Sequence, residues 1–255
     1  MLNGYKLIAV CLTKIQDEVT YEFIDALYQT VKGSDYRLLL FNSFSDLYHQ
    51  NVYDEGAKSI YQLLNYDLVD AVIIKADTIN DHQVIRDLIA RAKERQIPVI
   101  LLNMKAEGCY SIVPSYENVF SQLIEHVIKV HHKRKLYFLS GSMGESNSML
   151  REKIFRETLR DCGIDPQTAK VAYGEYWYGP AERAVENWIQ SGDLPEAIIC
   201  ANDAMAVAAC KVLKRHQIRV PEDMIVTGFD GVPSYQFHRP ALSTCTRTSS
   251  VLAGK

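Results

Sequence analysis

Short runs of β-branched and aliphatic residues alternate along the chain with longer segments of helical periodicity. In the first half the pattern predicts strands and helices in turn: strands 6–12, 36–41, 69–74 and 98–102, and helices 17–32, 53–64 and 84–95. The second half repeats the alternation: strands 110–113, 135–139, 169–173, 197–200 and 224–229, and helices 118–130, 150–162, 181–190 and 203–215. Strands that alternate with helices at this spacing predict parallel sheets covered by helices on both faces.

About nine strand–helix units are more than one doubly wound sheet holds comfortably. The polar segment 104–108 is the only break near the middle of the pattern. We therefore predict an α/β fold of two Rossmann-like lobes, residues 1–103 and residues 104–247. Ligands of open α/β sheets bind beyond the carboxyl ends of the strands, so two such lobes facing each other predict a cleft between them.

Composition places the chain among ordinary globular proteins. Of its 255 residues 47% are hydrophobic, and 28 basic against 31 acidic side chains leave a net charge of −3. This composition excludes a disordered chain, and the mild acidity argues against broad nucleic-acid binding. No apolar run reaches the roughly 20 residues that span a bilayer, and no signal peptide is visible, so we expect a cytoplasmic protein.

Motifs for catalysis and metal binding do not emerge from the sequence. Six cysteines form no C-x-x-C pair and no set with zinc spacing, so we expect buried reduced thiols, no metal and no organic cofactor. The segment Ser140–Gly144 has serine where a hydrolase nucleophile elbow needs its first glycine. Neither phosphate-binding glycine pattern occurs. An α/β hydrolase or phosphotransferase is therefore a remote alternative.

Polar residues that follow predicted strands have two interpretations each. Asn202 and Asp203 open a helix, where one can cap it while the other faces a ligand. Asp230 stands in a glycine-bearing turn and can also accept hydrogen bonds from ligand hydroxyls. Arg151 is either a surface arginine or a planar fork for two vicinal hydroxyls or a carboxylate. Periodicity alone leaves these alternatives open.

The last third of the sequence carries the specific motifs. Residues 195–247 contain an A-N-D-x-x-A helix start, a V-P-x-D turn, a G-F-D strand end and a P-x-L-[ST]-T strand. This segment resembles the second lobe of the lactose-repressor/galactose-repressor family. Upstream, the segment "LYFLSGSMGESNSMLREKIFRETLRDCGI" is similar to the family's strand, glycine loop and arginine-bearing helix, and "VDAVIIKAD" to its V-D-G-I-I strand.

The resemblance implies a periplasmic-binding-protein-like sensor of type I that binds a small effector, often a sugar or a nucleobase, in the cleft between its lobes. Residues 248–255 would return to the first lobe. Carried over by position, ligand-binding residues would come from both lobes: Asn147, Arg151, Tyr176, Asn202 and Asp230 from the second, and Thr13, Asp17 and Asn103 from the first. The resemblance implies neither catalytic residues nor a metal site.

Two departures from the family pattern limit what the resemblance implies. The first-lobe N-P-F-F pattern is replaced by residues 17–20, Asp-Glu-Val-Thr, so an aromatic stacking platform is absent and the effector cannot be named. No DNA-binding headpiece precedes Tyr5, so DNA contact is expected only through a headpiece outside this chain. Transcriptional control by a homodimer, switched by lobe closure, is the leading prediction. A sensor attached to a GGDEF-type diguanylate cyclase is the alternative.

Overall fold

The structure is a computed structural model that describes residues 4–45, 53–79 and 81–245. It contains two separate parallel sheets, which confirms the predicted α/β fold class. The described chain divides into two compact units, the first ending at Pro114 and the second beginning at Ser115. The predicted return of residues 248–255 to the first lobe lies outside the described residues.

The first unit is built on a five-stranded sheet. Its strands are β1 (Lys6–Thr13), β2 (Tyr36–Ser43), β3 (Ala71–Lys75), β4 (Val99–Leu102) and β5 (Tyr110–Ile112). Its helices are α1 (Glu18–Val31), α2 (Asp54–Lys58), α3 (Ala76–Ile79) and α4 (His82–Glu94). The strand order is β2-β1-β3-β4-β5, all parallel. Apolar side chains of α1 cover one face of the sheet, and those of α4 cover the other.

The second unit repeats this design with four strands. They are β6 (Leu136–Ser140), β7 (Val171–Tyr173), β8 (Ala197–Cys200) and β9 (Ile225–Thr227), in the order β7-β6-β8-β9. Its helices are α5 (Glu117–Lys129), α6 (Ser146–Asp161), α7 (Tyr178–Gln190) and α8 (Asp203–Arg215). Strands β6 and β8 are buried along their whole length, as expected when helices cover both faces of a parallel sheet. The rings of Phe138 and Phe155 stack at 5.1 Å in this core.

The structure places the boundary between the units later than the sequence predicted. The sequence put residues 104–114 in the second lobe because the polar segment 104–108 interrupts the pattern. In the structure the strand after that segment, β5, pairs in parallel with β4 and so extends the first sheet. A polar turn between two strands of one sheet looks the same in sequence as a linker between lobes.

One predicted helix is shorter than its periodicity indicates. The segment 53–64 forms helix α2 and then a 3₁₀ turn over Ser59–Leu63. Its apolar side chains Tyr61 and Leu64 lie in the core of the first unit, whereas Tyr53 is exposed.

The six cysteines are all free, as predicted, and four of them are buried.

Candidate functional site

The strand order marks the same feature in each sheet, a point where successive connections run in opposite directions. In the first unit the chain passes from β1 to β2 on one side and to β3 on the other. In the second unit it passes from β6 to β7 and then to β8 on the opposite side. Ligands of open α/β sheets bind beyond the carboxyl ends of the strands at such a switch point. Most of the sequence-predicted residues follow these strand ends.

Arg151 occupies the centre of the second unit's switch point. Helix α6 carries it, and its side chain is only 4% exposed. The guanidinium donates a hydrogen bond to the carbonyl oxygen of Ala201, just beyond β8. Its Nη2 lies 3.7 Å from Oδ1 of Asp230, which follows β9. The predicted pair Arg151–Asp230 therefore meets in space although the two residues are far apart in sequence.

Aromatic rings surround the Arg151 guanidinium. Its central carbon lies 4.3 Å from the ring centre of Phe229, 5.4 Å from that of Tyr116 and 5.7 Å from that of Tyr176. A cation within about 6 Å of a ring centre is attracted by the ring's quadrupole. Among the described residues, Nε of Arg151 is buried without a hydrogen-bond partner. The cation is thus held in place by these rings and by the carbonyl of Ala201.

The turn that carries Asp230 is strained and tightly packed. Asp230 has φ of +113°, a conformation that side chains other than glycine rarely adopt. Its backbone N–H donates to the carbonyl of Cys245 at 2.9 Å. A Cβ at the neighbouring Gly228 would lie 2.1 Å from Oδ1 of Asp203, so only glycine fits there. These contacts fix the position of the Asp230 carboxylate.

Asp203, buried at the start of α8, holds this turn. Its carboxylate accepts hydrogen bonds from the backbone N–H of Val232 at 2.8 Å and from the hydroxyl of Thr244 at 2.5 Å. Burial raises the pKa of Asp203 to about 6, helped by the negative charge of Asp230 and opposed by these hydrogen bonds. Sequence analysis left open whether Asn202 or Asp203 caps the helix. The structure shows that Asn202 caps it, while Asp203 holds the turn.

Asn202 and Tyr176 contact each other at the same edge of the sheet. The Asn202 side chain accepts from the backbone N–H of Met205 at 2.9 Å and donates to the carbonyl of Tyr176 at 3.1 Å. The Tyr176 hydroxyl bonds to Ser148 Oγ at 2.9 Å and Glu145 Oε2 at 3.0 Å, and the residue is 8% exposed. Its ring is packed against the loop after β6 rather than presented as an open face. Trp177, 54% exposed, is the accessible aromatic beside it.

Glu145 connects the last predicted residue of this unit to the others. It caps α6 by accepting from the backbone N–H groups of Asn147 and Ser148 at 2.9 and 2.8 Å. It also accepts from the side-chain amide of Asn147 at 2.9 Å. Sequence analysis missed Glu145 because it predicted the start of this helix at residue 150, and because glutamate is not among the usual N-cap residues.

Of the three residues predicted in the first unit, Thr13 and Asn103 lie at strand ends, and Asp17 begins helix α1. Thr13 ends β1; its hydroxyl lies 3.1 Å from that of Tyr61, and its N–H donates to Thr78 Oγ1 at 3.1 Å. Asp17 is the exposed N-cap residue of α1. Asn103 follows β4 with φ of +61°, and among the described residues its side-chain nitrogen is buried without a partner.

Two charged residues of this unit were missed by the sequence analysis. Lys75 is the last residue of β3, and Asp77 follows in α3. Their ammonium and carboxylate groups are in contact at the switch point between β1 and β3. The available signal was a lysine placed directly after the apolar run Ala71–Ile74.

Neither a metal-binding cluster nor a membrane-spanning helix is found among the described residues. No group of three or more His, Cys, Asp or Glu side chains in ranges 4–45, 53–79 and 81–245 is arranged to hold a metal ion. Within the same ranges, no helix has both the length and the apolar character needed to cross a membrane.

Comparisons with known proteins agree on one class. Residues 124–249 match the family model described as a periplasmic binding protein-like domain. The HTH-type transcriptional repressor PurR of Photobacterium profundum is 26% identical over 244 residues, covering 95% of this chain and 70% of that protein. The probable HTH-type transcriptional repressor ExuR of Bacillus subtilis is 26% identical over 202 residues, covering 76% of this chain and 59% of that protein.

Solved structures share the fold across nearly the whole chain. A dimeric Lac repressor has a TM-score of 0.78 at 20% identity, covering 97% of this chain and 86% of the other. The LacI-family regulator CCPA of Weissella paramesenteroides, solved with bound glucose, has a TM-score of 0.80 at 19% identity, covering 97% and 88%. Fold and comparisons together define a ligand-sensing regulatory module. The chain is similar in sequence and in fold to the effector-binding part of transcriptional regulators of the lactose-repressor/galactose-repressor type.

Proposed function

We propose that the chain senses a small polyhydroxylated effector, with Arg151 and Asp230 as its main anchors. The observation that carries this proposal is the guanidinium and carboxylate placed 3.7 Å apart beyond the strand ends of the second unit. Arginine supplies only donors, and an ionised aspartate supplies only acceptors. Vicinal hydroxyl groups satisfy both at once, because each hydroxyl accepts and donates.

The buried Nε of Arg151 supports this assignment. A buried donor without a partner costs about 1–3 kcal/mol. A ligand hydroxyl that accepted from it would recover part of this cost, and hydrogen bonds to charged groups are roughly twice as strong as neutral ones. The alternative is that Arg151 and Asp230 pair only to hold the second unit together. A thermal-shift screen of variants distinguishes the ligand-binding role of this pair from the structural one.

Transcriptional control is the output that the relatives support. PurR is an HTH-type transcriptional repressor, ExuR is a probable one, and the similar Lac repressor structure is dimeric. We therefore infer that this chain is a non-enzymatic sensor that works as a homodimer in the cytoplasm and reaches DNA through a headpiece outside it. Its other ligand contacts are proposed to be the predicted set: Thr13, Asp17, Asn103, Asn147, Tyr176 and Asn202.

The proposed mechanism is a population shift by lobe closure. A ligand that binds the closed form better than the open form moves the equilibrium toward closure by no more than that difference in affinity. A shift from 1:99 to 99:1 needs about 5.5 kcal/mol of preference.

A thermal-shift screen tests the two anchors. Sugars, sugar acids and nucleosides are added to the wild-type chain and to the variants Arg151→Ala and Asp230→Ala. We expect a sugar to raise the melting temperature of the wild type, because binding stabilises only the native state. Both variants should lose most of that rise, since each removes one half of the hydroxyl-binding pair.

Arg219→Ala is the matched control. Arg219 pairs with Asp223 at 2.8 Å in the same unit, but both side chains are exposed. This variant should keep the full response to the sugar. If Arg151→Ala and Asp230→Ala melt far lower without ligand and the sugar still shifts them normally, the two residues are structural and the proposed anchors are wrong.

A further inference from the structure

Asp203 is a buried carboxylate without an ion-pair partner among the described residues. The residue is 1% exposed, and no described lysine, arginine or histidine side chain pairs with it. The nearest functional cation, Arg151, donates instead to the carbonyl of Ala201 and lies beside Asp230. Aspartate is almost never fully buried unless it is paired. The burial of this carboxylate therefore needs a reason other than an ion pair.

The Asp203 carboxylate holds both residues that follow the proposed anchor Asp230. Its Oδ2 accepts from the backbone N–H of Val232 at 2.8 Å. Its Oδ1 accepts from the hydroxyl of Thr244 at 2.5 Å, and the oxygen of that hydroxyl accepts from the N–H of Gly231 at 3.2 Å. Asp230 itself has φ of +113°, a conformation that persists only when the surrounding contacts impose it. The position of the anchor thus depends on Asp203.

A purely structural role would not require an aspartate at this position. An asparagine of nearly the same size could accept from Val232 and donate to the Thr244 hydroxyl without a buried charge. Burying an ionised carboxylate is costly, so support of the turn alone would favour the amide. Only the aspartate has an ionised state in which both oxygens accept and the hydrogen bonds are charge-assisted. The ionisation of Asp203 is therefore the property that its structural role leaves unexplained.

Asp203 changes its charge near neutral pH, whereas its ionisable neighbours keep theirs. These neighbours are Asp230 on the adjacent turn, Arg151 on α6, Cys200 at the end of β8 and Cys245. Burial raises the pKa of both thiols, that of Cys245 to about 11, so they stay protonated. The Arg151 guanidinium favours the charged form of the Asp230 carboxylate beside it. Burial raises the pKa of Asp203 to about 6, helped by the charge of Asp230.

We propose that Asp203 is a positioning residue for the effector, and that its ionised form makes the effector bind more tightly. This inference rests on the proposed function, in which Asp230 accepts a hydrogen bond from an effector hydroxyl. The ionised carboxylate holds turn 230–232 through charge-assisted hydrogen bonds, which are roughly twice as strong as neutral ones. Asp230 is then ordered before the effector arrives, and less free energy is lost in ordering it on binding.

The repulsion between the two carboxylates predicts the same direction. An effector hydroxyl that donates to Asp230 spreads its negative charge, which lessens the repulsion on Asp203 and favours the ionised form. Effector binding should therefore release the proton of Asp203. By linkage, the affinity for the effector should rise as Asp203 loses that proton, between about pH 5 and pH 7.5.

Titration calorimetry at several pH values tests the proposal on the wild-type chain. The probes are D-glucose, D-galactose, D-ribose and mannitol, and the tightest of them is followed across the pH range. We expect its Kd to be about fivefold lower at pH 7.5 than at pH 5, the size of a weak coupling between sites. Near pH 6, titrations in two buffers of different ionisation enthalpy should show that binding releases a fraction of a proton. These measurements use no variant, so they hold even if a substitution at Asp203 unfolds the chain.

Variants then assign the pH dependence to Asp203. Asp203→Asn resembles the protonated form, so its Kd should stay near the wild-type value at low pH and should release no proton on binding. Thr244→Val removes a hydrogen bond that lowers the pKa of Asp203, so the midpoint of the pH profile should move to higher pH. Asp223→Asn is the matched control, because hydrogen bonds from Arg219 lower the pKa of this carboxyl to about 2. It should keep the wild-type profile.

The outcomes separate this inference from the proposed function. A probe that binds the wild type with the same Kd at low and at neutral pH overturns the role of Asp203 and keeps the anchors Arg151 and Asp230. A pH profile that Asp203→Asn retains does the same, as does an affinity that falls while the pH rises. Binding of none of the probes overturns the proposed polyhydroxylated effector and this inference with it.

Discussion

A single methyl group added at Gly141 should destabilise the protein by about 3 kcal/mol and weaken effector binding. A Cβ at this position would lie 2.0 and 2.2 Å from ring atoms of Tyr176 and 2.5 Å from Ser148 Oγ. The ring cannot simply swing aside, since its hydroxyl is held by Ser148 and Glu145 and its backbone has φ of +56°. Urea unfolding of Gly141→Ala measures the loss of stability.

Gly179→Ala is the matched control for this substitution. Gly179 lies in helix α7 of the same unit, and an added Cβ would meet only one atom, Nη1 of Arg183, at an ordinary 3.6 Å. Alanine is a better helix former than glycine, so this variant should be unchanged or up to about 1 kcal/mol more stable. Equal stability losses in both variants would contradict the predicted clash.

A double variant tests whether the Tyr176 ring is the cause. Gly141→Ala combined with Tyr176→Ala removes the ring that the new methyl group would strike. The cost of the double variant should therefore be smaller than the sum of the two single costs. Additive costs would place the strain somewhere other than the ring of Tyr176.

The fold was predictable because its signals are local and repeated. Central strands such as β6 and β8 read as continuous apolar runs, and each is followed by a helix of clear periodicity. The end of the first unit was not predictable in the same way. Strand β5 has only three residues, none of them buried, so its membership of the first sheet depends on pairing with β4, which no local pattern encodes.

The candidate site, like the fold, was predictable from the sequence only in part. Motifs located Arg151 and Asp230, and the structure brings their side chains together. The groups that hold these two residues were missed, because their contacts join positions remote in sequence. Asp203 reaches Thr244 across 41 residues, and Tyr176 reaches Glu145 across 31. Lys75 was missed for a different reason, since a polar residue at a strand end is usually the start of a solvated loop.

Asp203 connects the stability of the second unit to pH. The carboxylate is 1% exposed, and it bonds to the turn of Asp230 and to Thr244. Burial raises its pKa from an ordinary 3.8 to about 6. In the unfolded chain the group loses its proton near the ordinary value. Between the two values the native state binds more protons than the unfolded state, so stability falls as the pH rises through this window.

The Asp203→Asn variant should therefore gain stability relative to the wild type as the pH rises. The difference in unfolding free energy between the two proteins should move by roughly 2 kcal/mol in favour of the variant between about pH 4 and pH 7, since each pKa unit corresponds to about 1.4 kcal/mol and part of the change occurs below pH 4. Urea unfolding at several pH values measures this difference. Taking the difference cancels the titration of carboxylates that do not interact with Asp203, because they change both proteins equally.

Asp223→Asn is the control for the direction of the stability change and for the pH range in which it occurs. Asp223 is a surface carboxylate whose pKa is lowered to about 2 by hydrogen bonds from Arg219. Its titration is finished below the window, so the stability difference between this variant and the wild type should stay flat from about pH 4 to pH 7. A flat difference for Asp203→Asn as well would show that Asp203 titrates normally. The turn that carries Asp230 would then be held equally well with or without a proton on Asp203.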